Sequence, residues 1–474
     1  MIAIGKTFFR QSSYPEALII GFCLLLAPLA LIHLFAPINQ VIAVLLAVFG
    51  LVWLARNRPP LKLTKSTLWF SVVVLALAVL AARHALGGDD GLYHIQAAKW
   101  YSTYAVVPGL ANLHSRFGFN SSYYLYAALF SWLPGGAAHY VAGPLWIGVL
   151  GLSLNSRFGK LFVVSLAIWA VYVSTLSNDF PIFLLTLVMG FALFQSVQHR
   201  KQNISYLILL AFLGSTIKLS FVFFAFPAVG LILYLDKPSL KNIIAPSLLG
   251  VLFGLIWMIH GIYLSGYPLY PFTVAQLNVD WRLPESVAVL EQAWVTAWAK
   301  APGTVTTQID WNWLPEWWRY SSFNLNASIP LIFGLFALPF CVIRRPRILF
   351  FVPLAIGLAF WFLTAPDIRF AAGMLWLLVA ALLYSAIPEK WDRFFLTSFL
   401  IVGVILCLFN LIPTTVEESQ FYTYQVNDQT VYLPVHDAQC FDHDLPCAAY
   451  KQYVEQLQMR QAGNLAQGFK SKSN

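Results

Sequence analysis

Long apolar stretches recur along this chain and constrain its fold more than any other feature of the sequence. A helix that crosses the hydrocarbon core of a bilayer needs about 20 mostly apolar residues. Stretches of this kind are centred on Leu25, Leu46, Leu75, Ile147, Ala167, Leu187, Leu209, Phe226, Leu255, Gly334, Ile356, Leu377 and Val404. Only 10% of the 474 residues are charged, against roughly 25% in soluble globular domains. The sequence therefore predicts an all-α polytopic membrane protein with about 13 transmembrane helices.

Two boundaries in this pattern allow more than one interpretation. Residues 205–236 fit either one long helix or two short ones. The N-terminus, with Lys6 and Arg10 before an apolar run from Ala17, resembles a signal peptide. Because no small-residue cleavage site follows and the run leads into further apolar stretches, we interpret it as a retained first helix.

The basic residues predict the orientation of the helices. Loops on the cytoplasmic side of a membrane carry an excess of Lys and Arg. With a cytoplasmic N-terminus, the inner segments hold Lys6, Arg10, Arg56, Arg58, Lys62, Lys65, Arg157, Lys160, Arg200, Lys201, Lys237, Lys241, Arg344, Arg345, Arg347, Lys390 and Arg393, which are 17 of the 29 Lys and Arg. The pattern predicts a multi-pass protein of a bacterial inner membrane, with a transmembrane domain at 1–413 and an extracytoplasmic tail at 414–474.

The same alternation puts most polar segments on the outer side. They are the loops 87–134 and 263–326, the turns 177–179 and 364–369, and the tail. The loop 263–326 is rich in Trp, which favours the headgroup level of a bilayer, so we expect short helices on the membrane surface there. In the tail, Cys440 and Cys447 can form a disulfide in an oxidising compartment, and the sequence leaves open whether they do.

The formal net charge of +9 invites a comparison with nucleic-acid-binding proteins. Such proteins gather Lys and Arg on one face or along one helix. Here the basic residues are scattered in short clusters between apolar stretches, and the rule for cytoplasmic loops already accounts for them. We therefore predict no nucleic-acid partner.

Two adjacent carboxylates, Asp89 and Asp90, open the most polar short stretch of the chain. A carboxylate at the outer end of a membrane helix is partly desolvated and can act as a base. Two of them can also hold a divalent cation such as Mg²⁺ or Mn²⁺. The alternative is a solvated helix boundary, because Gly-Gly-Asp-Asp is also a common turn sequence. If Asp89 or Asp90 is catalytic at the outer end of a helix, where little packing depends on it, an Asp→Asn change is expected to alter activity but not folding.

The residues after the carboxylates predict a helix that lies in the plane of the membrane. Aromatic and small residues recur at helical spacing, namely Tyr93, Ala97, Trp100, Tyr101 and Tyr104. We expect this aromatic side to face the bilayer. Pro108 and Gly109 end the helix, and a second short helix can start near Ser121.

Paired carboxylates, an in-plane helix, a Pro-containing turn and a second short helix resemble the first outer loop of the GT-C superfamily of integral membrane glycosyltransferases. The segments VVPGLANLHSRFGFNSS, GYPLYP and DWRLPES of this chain are also similar to a family of uncharacterised bacterial membrane proteins. The superfamily resemblance implies that Asp89 or Asp90 is catalytic and that the donor is a sugar on a polyprenyl phosphate. In the superfamily this loop usually follows the first span, whereas here it follows the third, as two added N-terminal helices would explain.

Further ionisable residues match outer positions of the superfamily. Asp179 matches a second acidic position, and its alternative role is a helix N-cap. Lys218 stands alone among apolar residues and can contact the donor phosphate or extend to the membrane surface. Arg369 can bind the same phosphate or pair locally with Asp367. We expect Lys218 and Arg369 to converge with the paired carboxylates. The candidate substrate contacts are therefore His94, His114, Arg116, Asp179, Lys218, Asp367 and Arg369.

Together the resemblance and these residues predict a membrane glycosyltransferase. It would move a sugar from a polyprenyl-phosphate-linked donor to a glycan, lipid or protein acceptor on the outer, periplasmic face of the membrane. An alternative within the enzymes is a polymerase or ligase of surface polysaccharide. An alternative from another class is a transporter or flippase of lipid-linked sugars. Because many transporters contain internal repeats and none stands out in this sequence, we favour the transferase.

Overall fold

The computed structural model describes residues 1–57, 65–83, 88–302, 311–344, 347–409 and 420–472. Helices dominate these ranges, as the apolar pattern predicts. The first ten α-helices are α1 (Ile2–Phe8), α2 (Tyr14–His33), α3 (Gln40–Asn57), α4 (Lys65–Ala81), α5 (Ile95–Thr103), α6 (Ser122–Ala128), α7 (Ala142–Ser153), α8 (Arg157–Lys160), α9 (Val163–Trp169) and α10 (Asp179–Val197). The next ten are α11 (Ile204–Ile217), α12 (Val222–Asp236), α13 (Lys241–Ser265), α14 (Glu285–Lys300), α15 (Leu314–Ser321), α16 (Leu325–Arg344), α17 (Phe351–Thr364), α18 (Ile368–Ala386), α19 (Asp392–Phe409) and α20 (Lys451–Gln456).

Six segments of the described chain are helical, long and apolar enough to cross a membrane. They are α2, α3, α10, the segment Leu219–Asp236 that contains α12, α13 and α18. Each of the thirteen predicted centres lies within a helix, but several of these helices are shorter than a bilayer crossing requires. Helix α9, for example, has 7 residues. The chain is thus mainly helical, as is typical of membrane proteins, and the count of 13 spans stays a prediction.

Residues 205–236 form two helices. Helix α11 ends at Ile217, Lys218 adopts an extended conformation, and a 3₁₀ turn at Leu219–Phe221 leads into α12. The break leaves Lys218 at the junction of two apolar helices. The sequence allowed either one long helix or two short ones here, and the structure has two. At the break, the Lys218 side chain forms an ion pair with Asp179.

Helix α10 lies at the centre of the bundle, whereas α3 lies at its edge. The most apolar window of α10 is 89% buried, and that of α3 is 0% buried. Both helices are apolar all round, so only their surroundings distinguish them. Helix α10 packs against α7, α12 and α18, and the outward-facing apolar side chains of α3 suit contact with lipid.

Small residues let α10 and α18 approach each other closely. A Cβ atom on Gly190 would lie 2.3 Å from Leu377 Cδ1, and one on Gly373 would collide with α10 in the same way. Small residues at such contacts are characteristic of helix pairs in membranes. The two helices run in the same direction, so Asp179 at the start of α10 and Arg369 at the start of α18 lie at the same end of the bundle.

The predicted in-plane helix is present, but its aromatic side does not face a bilayer. A π-helix at Asp90–His94 continues directly into α5. Trp100 and Tyr101 are both buried within the protein. The ring of Trp100 contacts Phe469 of the tail, and that of Tyr101 contacts His33 at the end of α2. The expectation of a lipid-facing aromatic side is therefore wrong, because other parts of the chain cover these rings.

The tail carries strands and a disulfide, which depart from the all-α prediction. Among residues 420–472, β1 (Phe421–Val426) pairs antiparallel with β2 (Gln429–Pro434), and β3 (Leu457–Met459) pairs antiparallel with β4 (Phe469–Ser471). Cys440 and Cys447 form the disulfide that the sequence left open. The tail packs on both long loops, since Phe469 N–H donates to the Pro108 carbonyl at 3.0 Å and Arg460 pairs with Asp280 at 2.9 Å.

The Trp-rich loop forms the short helices α14 and α15 within its described part. Trp311 and Trp318 are largely exposed there, as is expected of rings that reside among lipid headgroups. Contact of these rings with a bilayer stays a prediction.

Candidate functional site

One end of the helix bundle gathers charged side chains from segments that are far apart in the sequence. Ion pairs connect most of them, and the Lys218–Asp179 pair lies beside Arg369. We name this group the ionic cluster; its members are Asp89, Arg116, Asp179, Lys218, Glu291, Asp367 and Arg369. The structure thus brings together six predicted candidates from distant segments and adds Glu291, for which the sequence held no signal.

Asp89 lies between two arginines. Its Oδ1 is 2.8 Å from Arg116 Nη1, and its Oδ2 is 3.5 Å from Arg369 Nη1. Burial opposes ionisation of this carboxyl group, but the neighbouring His94 and the two arginines outweigh burial, so the pKa of Asp89 lies below its ordinary value. A carboxylate with a lowered pKa is a weak base, and its side chain is still 28% exposed.

Arg116 is held by a carboxylate partner and by two aromatic rings. Its Nε donates to Glu291 Oε1 at 3.1 Å, while the Ser115 hydroxyl donates to the second oxygen of the same carboxylate at 2.6 Å. The guanidinium also lies 4.9 Å from the Trp294 ring and 5.6 Å from the Tyr93 ring. A planar guanidinium is suited to bridging two carboxylates in this way, so Arg116 connects the loop 87–134 to α14.

Asp90 is fully buried and accepts hydrogen bonds from three donors. Its Oδ2 accepts from the Thr175 hydroxyl at 2.6 Å, and its Oδ1 accepts from Leu176 N–H at 2.9 Å and from His94 Nδ1 at 2.7 Å. The alternative of a solvated helix boundary is therefore wrong for Asp90, and so is the expectation that this carboxylate contributes little to folding. Buried charge of this kind is retained only where donors satisfy it, and two of these donors come from a segment that is about 85 positions away.

His94 forms an oriented pair with Asp90. Because the carboxylate can only accept, Nδ1 of the neutral ring carries the proton and Nε2 is the acceptor nitrogen. The ring lies against Tyr93 at 4.3 Å and Tyr124 at 5.4 Å, which limits its rotation. A carboxylate that fixes the tautomer of a histidine is the arrangement by which many enzymes orient a base. The four-residue spacing on a helix was the sequence signal that could have revealed this pair.

Lys218 turns inwards to Asp179 instead of extending to the membrane surface. Its ammonium group forms an ion pair with the Asp179 carboxylate and lies 3.3 Å from the centre of the Phe370 ring. Asp179 stands in the first turn of α10, where Asn178 is the N-cap. Its side chain therefore pairs with Lys218 and does not serve as the N-cap of the helix.

Arg369 pairs locally and also reaches the cluster. Asp367 caps α18 by accepting from Arg369 N–H at 2.9 Å, and its other oxygen accepts from the guanidinium at 3.1 and 3.2 Å. The same guanidinium approaches Asp89. Its side chain is 41% exposed, the highest value among the ion pairs of the cluster. The local pairing and the predicted convergence are thus both present.

His114 is a buried part of the support of Arg116. Its Nδ1 accepts from Arg116 N–H at 3.1 Å, and its ring stacks between Tyr93 and Tyr450 of the tail. Burial and the nearby Arg116 charge lower its pKa to about 3. His114 is therefore neutral in the folded protein, and direct contact with a substrate stays a prediction.

This buried neutral histidine predicts a loss of stability in mild acid. The ordinary pKa is 6.5 and the folded value is about 3, so the unfolded chain binds a proton that the folded chain does not. Stability is then fully present above pH 6.5 and falls as the pH drops towards 3, by about 1.4 kcal/mol per unit of pKa difference. A His114→Asn variant keeps an acceptor for Arg116 N–H but does not titrate. Its unfolding midpoint in detergent should change less with pH than that of the wild type, and equal pH dependence would contradict the prediction.

The donors around the paired carboxylates do not fit a divalent cation. Both oxygens of Asp90 accept from protein donors, and both oxygens of Asp89 face arginine guanidiniums. Mg²⁺ and Mn²⁺ need free oxygen ligands, and two guanidiniums would repel them. In the part of the chain that the structure describes, no group of three or more His, Cys, Asp or Glu residues could hold a metal ion. The protein cations are therefore the groups that can neutralise negative charge here.

Comparison with known proteins finds a family model that most of the chain matches. A family model described as a domain of unknown function (DUF8201) matches residues 2–376. No curated protein and no solved structure matches the chain. The matched range includes every member of the ionic cluster together with Asp90 and His94, whereas the tail lies beyond it.

Proposed function

The chain belongs to the family described as a domain of unknown function (DUF8201), and we propose from its ionic cluster that it is a membrane-embedded glycosyltransferase. It would transfer a sugar from a polyprenyl-phosphate-linked donor to a hydroxyl group of a glycan, lipid or protein acceptor. The observation that carries the proposal is the gathering of seven charged residues beside an Asp–His pair at one end of an apolar helix bundle. Charged groups among membrane helices are costly, so their concentration marks a functional site.

His94 is the proton acceptor in this proposal, and Asp90 orients it. The acceptor O–H bond breaks as its proton moves to His94 Nε2, and the acceptor oxygen forms a bond to the anomeric carbon of the donor sugar. The bond from that carbon to the phosphate oxygen breaks, and its electron pair leaves with the polyprenyl phosphate. Asp90 stabilises the imidazolium that results, because its carboxylate already accepts from Nδ1. Asp89 is the alternative acceptor, and its two arginine partners make it the weaker base.

Arg369 and Lys218 hold the donor phosphate in this proposal. The guanidinium of Arg369 is the more exposed of the two, and its 3.5 Å contact with Asp89 is long enough to be exchanged for a phosphate oxygen. The leaving group is already a phosphate, so the protein has to position the two substrates, take one proton and neutralise charge. Arg116, which is largely shielded between Asp89 and Glu291, keeps the site assembled.

The disulfide supports a location on the outer side of the membrane. Disulfides persist in oxidising compartments, including the bacterial periplasm. The tail that carries Cys440 and Cys447 contacts both the loop 87–134 and the loop 263–326. These contacts support a common side of the membrane for these segments, and we propose that this is the periplasmic side of a bacterial inner membrane.

A transfer assay on the purified full-length protein tests the proposed function. Lipids that co-purify are identified by mass spectrometry, and a polyprenyl-phosphate-linked sugar is then supplied with candidate acceptors while release of polyprenyl phosphate is measured. An Arg369→Met variant should lose donor binding. The matched control is Arg157→Met. Arg157 forms a comparable half-buried ion pair with Asp392, with 2.8 Å between Arg157 Nε and Asp392 Oδ2, and this pair is not part of the ionic cluster. Donor that binds but is never cleaved would favour the transporter alternative, and no donor binding would refute both.

A further inference from the structure

The tail reaches the centre of the candidate site through one small loop. We propose that the disulfide-closed loop Cys440–Cys447 is a clamp that positions the π-helix Asp90–His94 for catalysis. The catalytic part of this inference rests on the proposed transferase function, whereas the contact between the loop and the helix does not. The loop lies outside the range matched by the family model, so it is an element of the site that the family match does not include.

Main-chain hydrogen bonds attach the loop to the residue next to Asp90. The carbonyl oxygen of Gly91 accepts from Cys440 N–H at 2.8 Å and from Phe441 N–H at 2.9 Å. Gly91 stands between the two members of the Asp–His pair. A shift of the loop would therefore be transmitted directly to the backbone that carries Asp90 and His94.

Two side chains on the following helix bind the same loop. Gln96 is fully buried, and its amide donates to the carbonyls of Phe441 at 3.0 Å and His443 at 2.8 Å. The Lys99 ammonium donates to the carbonyls of Asp442 at 2.9 Å and His443 at 3.1 Å. With the bonds to Gly91, six hydrogen bonds thus join one face of the helix to a few residues of the loop. Hydrogen bonds that are buried or made by a charged group are the stronger kinds.

The absence of a side chain at Gly91 allows the loop to approach this closely. A Cβ atom there would lie 2.2 Å from Gln439 Oε1 and 2.8 Å from two ring carbons of Phe441. Glycine is the residue that permits such a close approach. Gly88, three positions earlier, has open space around the same atom, so the requirement is specific to the contact with the loop.

The disulfide holds a backbone that would not persist easily without a cross-link. Phe441 inside the loop has a positive φ value of 41°, and Asp437 and Ala438 just before the loop have values of 61° and 53°, which L-residues adopt at a cost. Closing the loop with a disulfide reduces the freedom of the competing unfolded forms. The loop is also tied to β2, since Tyr432 N–H donates to the Pro446 carbonyl at 3.0 Å and Ala448 N–H donates to the Tyr432 carbonyl at 2.9 Å.

The test compares hydrogen exchange with transfer kinetics in the full-length protein in detergent. A Cys440→Ser/Cys447→Ser double variant should exchange the amides of residues 89–99 at least about tenfold faster than the wild type, because the clamp is released. It should also lower kcat by about 10²-fold, as misplacement of a catalytic group by about 1 Å can do, with the KM for the donor nearly unchanged. Gly91→Ala should have the same two effects with the disulfide intact, and Gly88→Ala should have neither. Arg460→Ala, which removes a tail contact away from the π-helix, should leave exchange at residues 89–99 unchanged.

Each outcome decides a separate part of the inference. Unchanged exchange at residues 89–99 in both the cysteine variant and Gly91→Ala would overturn the clamp. Faster exchange with an unchanged kcat would overturn its positioning role in catalysis. Absence of any transfer by the wild type would refute the proposed function, and the exchange data, which need no substrate, would still decide the clamp.

Discussion

Replacing Asp90 with alanine is expected to destabilise the protein by at least about 3 kcal/mol. The change leaves three buried donors without an acceptor, and each buried unpaired donor costs about 1–3 kcal/mol. Those donors are the Thr175 hydroxyl, Leu176 N–H and His94 Nδ1–H. Denaturant or thermal unfolding in detergent, followed by tryptophan fluorescence, measures the loss.

Two further variants make this test specific to the buried acceptor. Asp90→Asn keeps the shape of the side chain and one carbonyl oxygen, so its destabilisation should be smaller than that of Asp90→Ala. Asp89→Ala removes a carboxylate that is 28% exposed, and Arg116 keeps its contact with Glu291 in that variant. Its effect should therefore be smaller as well. If Asp90→Ala unfolds like the wild type, Asp90 does not hold the segments together as inferred here.

Replacing His94 with glutamine is expected to reduce the rate of transfer by about 10²–10⁴-fold, the usual contribution of a general base. Glutamine is polar and of similar length, but it cannot take up the acceptor proton. The stability of the variant should change less than that of Asp90→Ala, because Thr175 and Leu176 still satisfy the buried carboxylate. The readout is kcat for release of polyprenyl phosphate from a lipid-linked sugar at saturating acceptor.

A parallel Asp89→Asn variant distinguishes the two candidate bases. If His94 is the base, Asp89→Asn should lower the rate less than His94→Gln does, since Asp89 then acts mainly on Arg116 and Arg369. If Asp89→Asn abolishes transfer while His94→Gln retains it, the direct role returns to Asp89, one of the two carboxylates that the superfamily resemblance implied. His139→Gln serves as a control, because His139 bonds only to the Ala81 carbonyl among the described residues and lies outside the cluster.

The helices were predictable from the sequence because their signal is local. An apolar stretch needs only its own residues to be recognised, and for this reason each of the thirteen predicted centres lies in a helix. Lengths were less predictable, since several segments such as α9 are too short to cross a bilayer unaided. The break at Lys218 illustrates the limit. The sequence allowed one helix or two, and the ion pair with Asp179 from a different helix is part of what stabilises the break.

Much of the site was also visible in the sequence, as a concentration of polar residues in 87–134 and a few lone charges elsewhere. Composition alone picks out such residues, because charge is rare in an apolar chain and costly within a membrane. The partners were not visible in this way. Glu291 and Tyr453 have no sequence pattern that connects them to Ser115, yet both contact its hydroxyl.

By itself, then, the sequence determined that the chain is mainly helical with long apolar segments, where its helices lie, and which polar stretch contains Asp89, Asp90 and His94. Periodicity and hydropathy are properties of neighbouring residues, and they survive in any fold that the chain adopts. Only the tertiary structure decided that Asp90 is buried while Asp89 meets two arginines, that the aromatic side of α5 faces the protein, and that the tail binds Gly91. Those outcomes depend on donors and surfaces from segments tens to hundreds of positions away. Adjacent carboxylates with nearly identical local sequence acquire different roles because the rest of the chain surrounds them differently.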